Sequence, residues 1–145
     1  MIQQIEVARE IRDHICDIAF EYDISIIYAF GSRAGGVEDL LSRRAAKLHE
    51  GVSDLDIGIK AARRLSIVQK VDISRKLEDI FGVARVDLII LNDTSAALAY
   101  EAVTGTLVYA SDPVEEAEYQ LYVMRRYAEL LPFYEAAAEL VLGAT

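Results

Sequence analysis

The sequence predicts an α/β (α+β) fold in which a small mixed β-sheet carries helices on one face. Helical and strand-like apolar patterns alternate along the chain, as this fold requires. Hydrophobic residues make up 53% of the 145 residues, which is enough for one core. Neither an internal repeat nor a low-complexity linker divides the chain. We therefore expect a single domain over residues 1–145, with a C-terminal helical extension at about 112–143.

The first third of the chain predicts a helix, a strand and a second helix. Residues 2–20 repeat apolar side chains at helical spacing, at positions Ile5, Ala8, Ile11, Ile15 and Ile18. Ile24–Phe30 is a β-branched and aromatic run typical of a strand. It ends just before Ser32, which could cap a following helix. That helix is expected to include the segment Val37–Glu50 and to end at Gly51.

The middle of the chain predicts a strand, a helix and another strand. Asp54–Ile59 alternates acidic and apolar residues, which indicates a strand with one polar face. A helical pattern runs from Leu65 to Ile80 and ends at Gly82, a residue type that commonly terminates helices. Val86–Leu91 predicts the third strand.

The C-terminal part predicts a short helix, a short strand and one long helix. Asn92–Ser95 leads into the short helix, and Gly105–Tyr109 is expected to add a fourth strand. Asp112 begins a capping-box pattern with Pro113 at the first helical position, so the long helix is expected to begin there. Pro132 lies inside this helix and is expected to kink or break it.

The predicted long helix has two apolar stripes, whereas a helix on a small domain needs only one for its own core. One stripe consists of Val114, Ala117, Leu121, Met124, Ala128 and Leu131, and the other of Tyr119, Tyr122, Leu130 and Phe133. The second stripe is rich in tyrosine, as protein interfaces are. Burial of both stripes within the domain is the equal alternative.

The formal net charge is −9, from 24 acidic and 15 basic residues. A free-standing nucleic-acid binder usually carries a basic surface, so this class is not indicated. An acidic chain suits a basic protein partner or a small metal-bound nucleotide. No apolar run approaches the ~20 residues of a membrane span. The first residues lack a signal-peptide pattern, and the single cysteine, Cys16, fits a reducing compartment. We expect a cytoplasmic protein that binds neither nucleic acid directly nor a membrane.

Three aspartates and a Gly-Ser pair form the candidate site. Asp54 and Asp56 are expected to share one face of their strand, because side chains two apart point the same way. At about 6 Å such carboxylates repel by roughly 3 kcal/mol at an effective dielectric near 20, and Mg²⁺ between them would remove that cost. Asp87 would reach the same pocket if the strands are neighbours, and could hold a second metal and help take a proton from an attacking hydroxyl. Gly31 allows a phosphate to approach the backbone, and Ser32 adds a hydroxyl donor.

Each of these signals is weak alone. A Gly-Ser pair after a strand is commonly a turn, and Asp-x-Asp is often the solvated face of an edge strand. The combination is stronger, because all three segments lie at strand ends or on polar strand faces in the order that one pocket requires. Gly31–Gly36 matches neither the dinucleotide fingerprint nor the P-loop. His14 and His49 are isolated, so zinc is not indicated.

At these residues the chain resembles the DNA polymerase β-type nucleotidyltransferase superfamily, and more closely the minimal nucleotidyltransferase (MNT) antitoxins that pair with HEPN-domain toxins. The resemblance rests on Phe30–Gly35, Ser53–Ile57 and Val86–Leu88, and on Gly105–Tyr109 followed by an acidic, tyrosine-rich helix. It implies the polymerase β-like palm fold.

The resemblance also implies a site and an activity. Gly31 and Ser32 would hold the triphosphate of ATP, Asp54 and Asp56 would bind Mg²⁺, and Asp87 would complete the metal-binding triad. Such antitoxins transfer AMP from ATP to a tyrosine of the partner toxin, a HEPN ribonuclease, and silence it. The implied partners are therefore ATP and a cognate HEPN toxin in a hetero-oligomer.

One feature departs from the family pattern. Twenty-one residues separate Ser32 from Asp54, and the family spacer is markedly shorter. The added segment could lengthen only the rim of the pocket, or it could close the pocket or move Ser32. Two other functions therefore stay open. One is an antitoxin that neutralises by binding alone, and the other is a transferase for a small hydroxyl compound such as an antibiotic.

Overall fold

The computed structural model describes residues 1–49, 51 and 53–143, and the structural statements below concern these residues. The described chain forms helices and strands in alternation along most of its length. The helices are α1 (Ile2–Tyr22), α2 (Ala34–Leu41), α3 (Ile67–Phe81), α4 (Ala96–Val103) and α5 (Pro113–Gly143), and the strands are β1 (Ile24–Phe30), β2 (Leu55–Ala61), β3 (Val86–Ile90) and β4 (Thr106–Ala110).

The four strands form one mixed sheet in the order β3-β2-β1-β4. β1 is antiparallel to both β2 and β4, whereas β2 and β3 are parallel and are connected through α3. The predicted mixed sheet is confirmed. β2 lies between two neighbours, so its acidic residues do not belong to an edge strand.

Helices cover both faces of the sheet, in contrast to the expected single face. α1, α2 and α3 pack on one face against residues such as Ile27 and Ile57. α4 and the first half of α5 pack on the opposite face against Ile26, Tyr28 and Phe30. The reason lies in β1, whose alternate side chains are buried on both faces, and a strand that is apolar on both faces must be covered on both.

The predicted helix over Val37–Glu50 is wrong beyond Leu41, and Glu50 itself lies outside the described residues. α2 ends in a Schellman motif, in which the Arg44 N–H donates to the Asp39 carbonyl at 2.7 Å and the Arg43 N–H to the Leu40 carbonyl at 3.3 Å. Arg43 adopts the left-handed conformation with φ of 66°. Glycine usually fills this position, so an arginine there gave no sequence signal for the helix end.

α5 begins where the sequence predicts, with the Val114 N–H donating to Asp112 Oδ1 at 2.9 Å. The expected break at Pro132 is wrong, because the helix continues through it to Gly143. A proline inside a helix costs about 3 kcal/mol. Good helix formers surround this one, including Glu129, Leu130, Leu131, Ala136, Ala137 and Ala138, and they favour continuation. Within the described residues, no helix is both long enough and apolar enough to cross a membrane.

A buried polar pair joins α5 to the sheet. The Tyr28 hydroxyl donates to Glu116 Oε1 at 2.7 Å, and the Gln120 side-chain amide donates to the same oxygen at 2.6 Å. Burial, followed by the neighbouring Glu116 carboxylate, raises the pKa of Tyr28 above its usual range, so the hydroxyl keeps its proton.

Tyr28→Phe is expected to lower the free energy of unfolding by about 1–3 kcal/mol, because buried Glu116 loses a hydrogen-bond donor. Tyr109→Phe is the matched control. It deletes the same hydroxyl from a partly buried strand residue that makes no side-chain hydrogen bond within the described chain, and should change stability by less than about 0.5 kcal/mol. Urea unfolding measures both variants. Equal stability of the two would contradict the role assigned to the buried pair.

Candidate active site

Asp56 and Asp87 lie side by side on adjacent parallel strands. They are register partners between β2 and β3, and parallel strands lie about 4.8 Å apart. Their neighbours Leu55, Ile57 and Leu88 point into the core under α1–α3, so both aspartates project to the opposite face, beside α4. The expectation that the two strands are neighbours is confirmed.

Asp54 lies immediately before β2 rather than within it, and is exposed. Its Oδ2 atom is 3.5 Å from Nε of Arg85, which is also exposed. The Leu55 N–H donates to the Arg85 carbonyl at 3.1 Å, so backbone pairing continues to this end of the sheet. The ion pair holds Asp54 at the end of the strand on which Asp56 stands.

The electrostatics single out Asp56 within the cluster. Burial is the largest cause of a raised Asp56 pKa, followed by the carboxylates of Asp87, Asp54 and Glu101. Glu101 belongs to α4 and was not found from the sequence, because it stands in no motif. α4 approaches β2 closely at Gly58, where a Cβ would press on the Leu91 and Ala102 side chains. That close approach brings the Glu101 carboxylate within electrostatic reach of Asp56.

Gly31 follows β1 directly and is required by geometry. Its φ is +76°, a conformation that favours glycine, and an added Cβ would overlap Asp56 Oδ2. Phe30, the preceding residue, is the antiparallel register partner of Asp56. The turn is therefore held in contact with the carboxylate, as the prediction of one common pocket requires.

Ser32 lies in a single 3₁₀ turn, Gly31–Arg33, and is exposed. It does not cap α2, whose N-cap residue is Arg33, so the predicted capping role is wrong. Within the described residues the Ser32 hydroxyl makes no hydrogen bond. It is consequently available to a ligand at this turn.

The described residues between Ser32 and Asp54 are attached beside the site through Arg33 and Leu48. Arg33 Nη1 donates to the Ser53 carbonyl at 3.3 Å, and Nη2 donates to the His49 carbonyl at 2.5 Å. Leu48 is buried against α2, close to Gly36. In the described part of the chain, Ser32 and Asp54 stay exposed. Arg33 is a second residue that the sequence did not single out, since its backbone partners lie 16 and 20 positions away.

The donor set fits Mg²⁺ bound together with a nucleotide better than a metal held by protein alone. No group of three His, Cys, Asp or Glu side chains within the described residues is arranged to hold an ion. Mg²⁺ commonly takes one or two carboxylates and completes its shell with water and substrate phosphates. Asp56 and Asp87 supply such a pair, and their mutual repulsion favours a cation between them. A cavity of about 300 Å³ beside Lys60 and Tyr119 has none of the three aspartates in its lining.

Comparisons with known proteins agree with this geometry. The family model "Polymerase beta, Nucleotidyltransferase" matches residues 13–114. No curated protein sequence is significantly similar to the chain. Among solved structures, the chain is similar to one from a toxin–antitoxin complex with AMP-PNP, at 21% identity and a TM-score of 0.69, covering 90% of this chain and 98% of that one.

Two further structures show the same likeness. One is from an MntA toxin–antitoxin complex whose variant exchanges two aspartates, two positions apart, for glutamates; it has 19% identity and a TM-score of 0.69, covering 90% of this chain and 98% of that one. The other is from a complex of tri-AMPylated Shewanella oneidensis HEPN toxin with MNT antitoxin, with 19% identity and a TM-score of 0.66, covering 93% of this chain and 98% of that one. At these identities the likeness shows the fold, and it confirms the expected nucleotidyltransferase fold.

Proposed function

Because the chain belongs to the polymerase beta nucleotidyltransferase family, we propose that it is an antitoxin that transfers AMP from ATP to a tyrosine of a cognate HEPN-domain toxin, with Mg²⁺ as cofactor. One observation carries the proposal: Asp56 and Asp87 stand side by side in register, and the Asp56 carboxylate lies against the turn at Gly31. The similar structures, which include a complex with AMP-PNP and a tri-AMPylated toxin, support the choice of nucleotide and partner.

Different residues of the site bind the triphosphate and the metal ion. The open backbone at Gly31 and the free hydroxyl of Ser32 receive the triphosphate. Asp54, Asp56 and Asp87 form the acidic side of the site. Asp56 and Asp87 would hold Mg²⁺ together with the phosphates, with Asp54 adding negative charge nearby, and the bound ion would supply neutralisation of the phosphate charge. Burial first, and then repulsion by Asp87, Asp54 and Glu101, raises the pKa of Asp56, and a bound cation would relieve that repulsion.

The transfer step is an in-line displacement at the α-phosphorus. The tyrosine oxygen of the toxin forms a bond to that phosphorus as the bond to the bridging oxygen of pyrophosphate breaks. Asp87, which is exposed beside Asp56, accepts the phenolic proton. Pyrophosphate leaves with the negative charge that it gains, and the tyrosine keeps AMP in a phosphodiester.

Intact-mass spectrometry of the toxin tests the proposal. The chain is co-expressed with the product of its neighbouring gene, the candidate toxin, as wild type and as the double variant Asp54→Asn, Asp87→Asn. The toxin is expected to gain the mass of one or more AMP groups with wild type only. Neutralisation without any mass gain, equal for both forms, would establish the binding-only alternative. Nucleotide transfer to a small hydroxyl compound without the toxin would establish the other.

Arg33→Ala is expected to weaken ATP use, because Arg33 joins the turn that contains Ser32 to the carbonyl of Ser53, which directly precedes Asp54. A rise in KM for ATP of about tenfold, with a smaller change in kcat, is expected for the loss of positioning contacts worth roughly 1.4 kcal/mol. Arg33→Lys should restore part of the effect. The control Arg44→Ala removes an exposed arginine that pairs with Glu38 and Asp39, and should leave KM unchanged. Similar KM values for all variants would contradict the positioning role of Arg33.

A further inference from the structure

α5 consists of a half that is packed on the domain and a half that is not. The first half is held by buried Glu116 and Val123 and by Tyr127, whose ring stacks on Tyr100 of α4 with centroids 4.1 Å apart. From residue 132 to residue 143 every described residue is exposed. We call residues 130–143 the distal segment, which includes the two partly buried residues at the junction.

The distal segment is amphipathic, and its apolar face is turned to solvent. At 100° per residue, one arc of the helix holds Leu130, Phe133, Tyr134, Ala137, Leu140 and Val141. Glu135 and Glu139 stand on the opposite side. Phe133, Leu140 and Val141 are 71%, 76% and 73% exposed. Such a face stabilises a helix only when it is covered, because short isolated helices are marginal in water.

The charge pattern indicates what covers this face. Between residues 127 and 143 there is no lysine or arginine, whereas Glu129 borders the apolar arc and Glu135 and Glu139 lie on the opposite side. Helices that lie on membranes carry basic residues on the polar face, so a membrane does not suit this segment. A second copy would bring acidic flanks together. A protein surface with an apolar groove and a lysine- or arginine-rich rim complements both the apolar face and the negative charge of the segment.

The segment also points back to the acidic site. The ring centroid of Tyr134, near the start of the segment, lies 6.0 Å from that of Tyr127, whose ring stacks on Tyr100. The next residue of α4, Glu101, is among the carboxylates that act on Asp56. The base of the distal segment is thus connected through Tyr127 to α4, the helix whose Glu101 acts on Asp56.

We propose that the distal segment of α5 is the docking surface for the toxin, which grips its apolar face in a groove with a basic rim and so presents its tyrosine to Asp56 and Asp87. This inference rests on the proposed function, because it takes the toxin as the partner. It adds where the toxin binds and the chemistry of the toxin surface that receives the helix.

Binding of the candidate toxin, the product of the neighbouring gene, in the absence of ATP tests the docking surface separately from catalysis. The variant Leu140→Ser, Val141→Ser is compared with Ile67→Ser, Val68→Ser, a control pair on α3 that is also adjacent, aliphatic and 79% and 70% exposed. Isothermal titration is expected to show at least tenfold weaker binding for the first pair and unchanged binding for the control. Circular dichroism and the affinity for Mg-ATP should stay at wild-type values in both.

Other outcomes overturn the inference. Equal toxin binding by both pairs would place the interface elsewhere and leave the proposed transfer standing. The inference is also overturned if the wild-type chain forms a dimer that the variant Leu140→Ser, Val141→Ser does not form, while this variant still binds the toxin. The distal segment would then serve self-association, and the proposed transfer would still stand. Failure of the wild-type chain to bind the toxin, with Mg-ATP binding retained, would remove the toxin from the proposed function and the inference with it.

Discussion

Asp56→Asn is expected to reduce AMP transfer by on the order of 10³-fold or more and yet to stabilise the fold at neutral pH. The loss of activity follows from removing the central carboxylate of the proposed Mg²⁺ site, since single electrostatic groups of this kind contribute 10²- to 10³-fold and metal ligands more. The gain in stability follows from removing a charge that is partly buried and repelled by Asp87, Asp54 and Glu101.

The pH dependence of that gain can be stated with its sign. The pKa of Asp56 in the folded chain lies above the ordinary value of 3.8, so the folded state binds this proton more tightly than the unfolded state does. The contribution of the Asp56 carboxyl to the free energy of unfolding is therefore greatest below the unfolded pKa. That contribution falls as the pH rises from 3.8 through the raised pKa. An asparagine at this position does not titrate, so the variant does not lose this stability as the pH rises. The stability difference between Asp56→Asn and wild type should be present at pH 7 and shrink as the pH approaches 3.8.

Urea unfolding of wild type and variant across this pH range measures the effect. The matched control is Asp72→Asn, which changes an exposed aspartate on α3. Mg²⁺ with a non-hydrolysable ATP analogue should raise the melting temperature of wild type more than that of Asp56→Asn, because ligand binding to the folded state stabilises it. A variant that transfers AMP at the wild-type rate, or that is less stable than wild type at pH 7, would contradict the assignment of Asp56.

Gly31→Ala is expected to reduce transfer by on the order of 100-fold, because the new methyl group displaces Asp56 Oδ2 and a shift of about 1 Å at a reacting site has that effect. The backbone penalty is separate. A left-handed φ of +76° costs a non-glycine residue about 1–2 kcal/mol, and this lowers the free energy of unfolding.

Gly82→Ala separates the two contributions. Gly82 also adopts a left-handed conformation, with φ of +64°, but nothing lies within 4 Å of a Cβ built there. Both variants should lose similar stability in urea, and Gly31→Ala alone should lose transfer activity. Equal activity in the two variants would mean that the turn does not control the position of Asp56.

Local signals in the sequence determined most elements. Two examples are the β-branched run of β1 and Gly82 at the end of α3. Each acts within one strand or one helical turn, so each predicts its element without information from the rest of the chain. Asp112-Pro113 fixes the start of α5 in the same way. Where a local signal was absent, the prediction failed: Arg43 ends α2 in a conformation that glycine usually adopts, and the described segment beyond it is not helical.

The chain by itself supplied the acidic and small residues of the site, because their types and their positions on strands carry the chemistry. Only the tertiary structure decided which of them meet: the parallel register that sets Asp87 beside Asp56, the approach of α4 that adds Glu101, and the reach of Arg33 across the inserted segment. It also decided that the distal part of α5 stands clear of the domain. These relations join residues far apart in sequence, and the free energy that selects them comes from packing of the whole sheet, which no local pattern records.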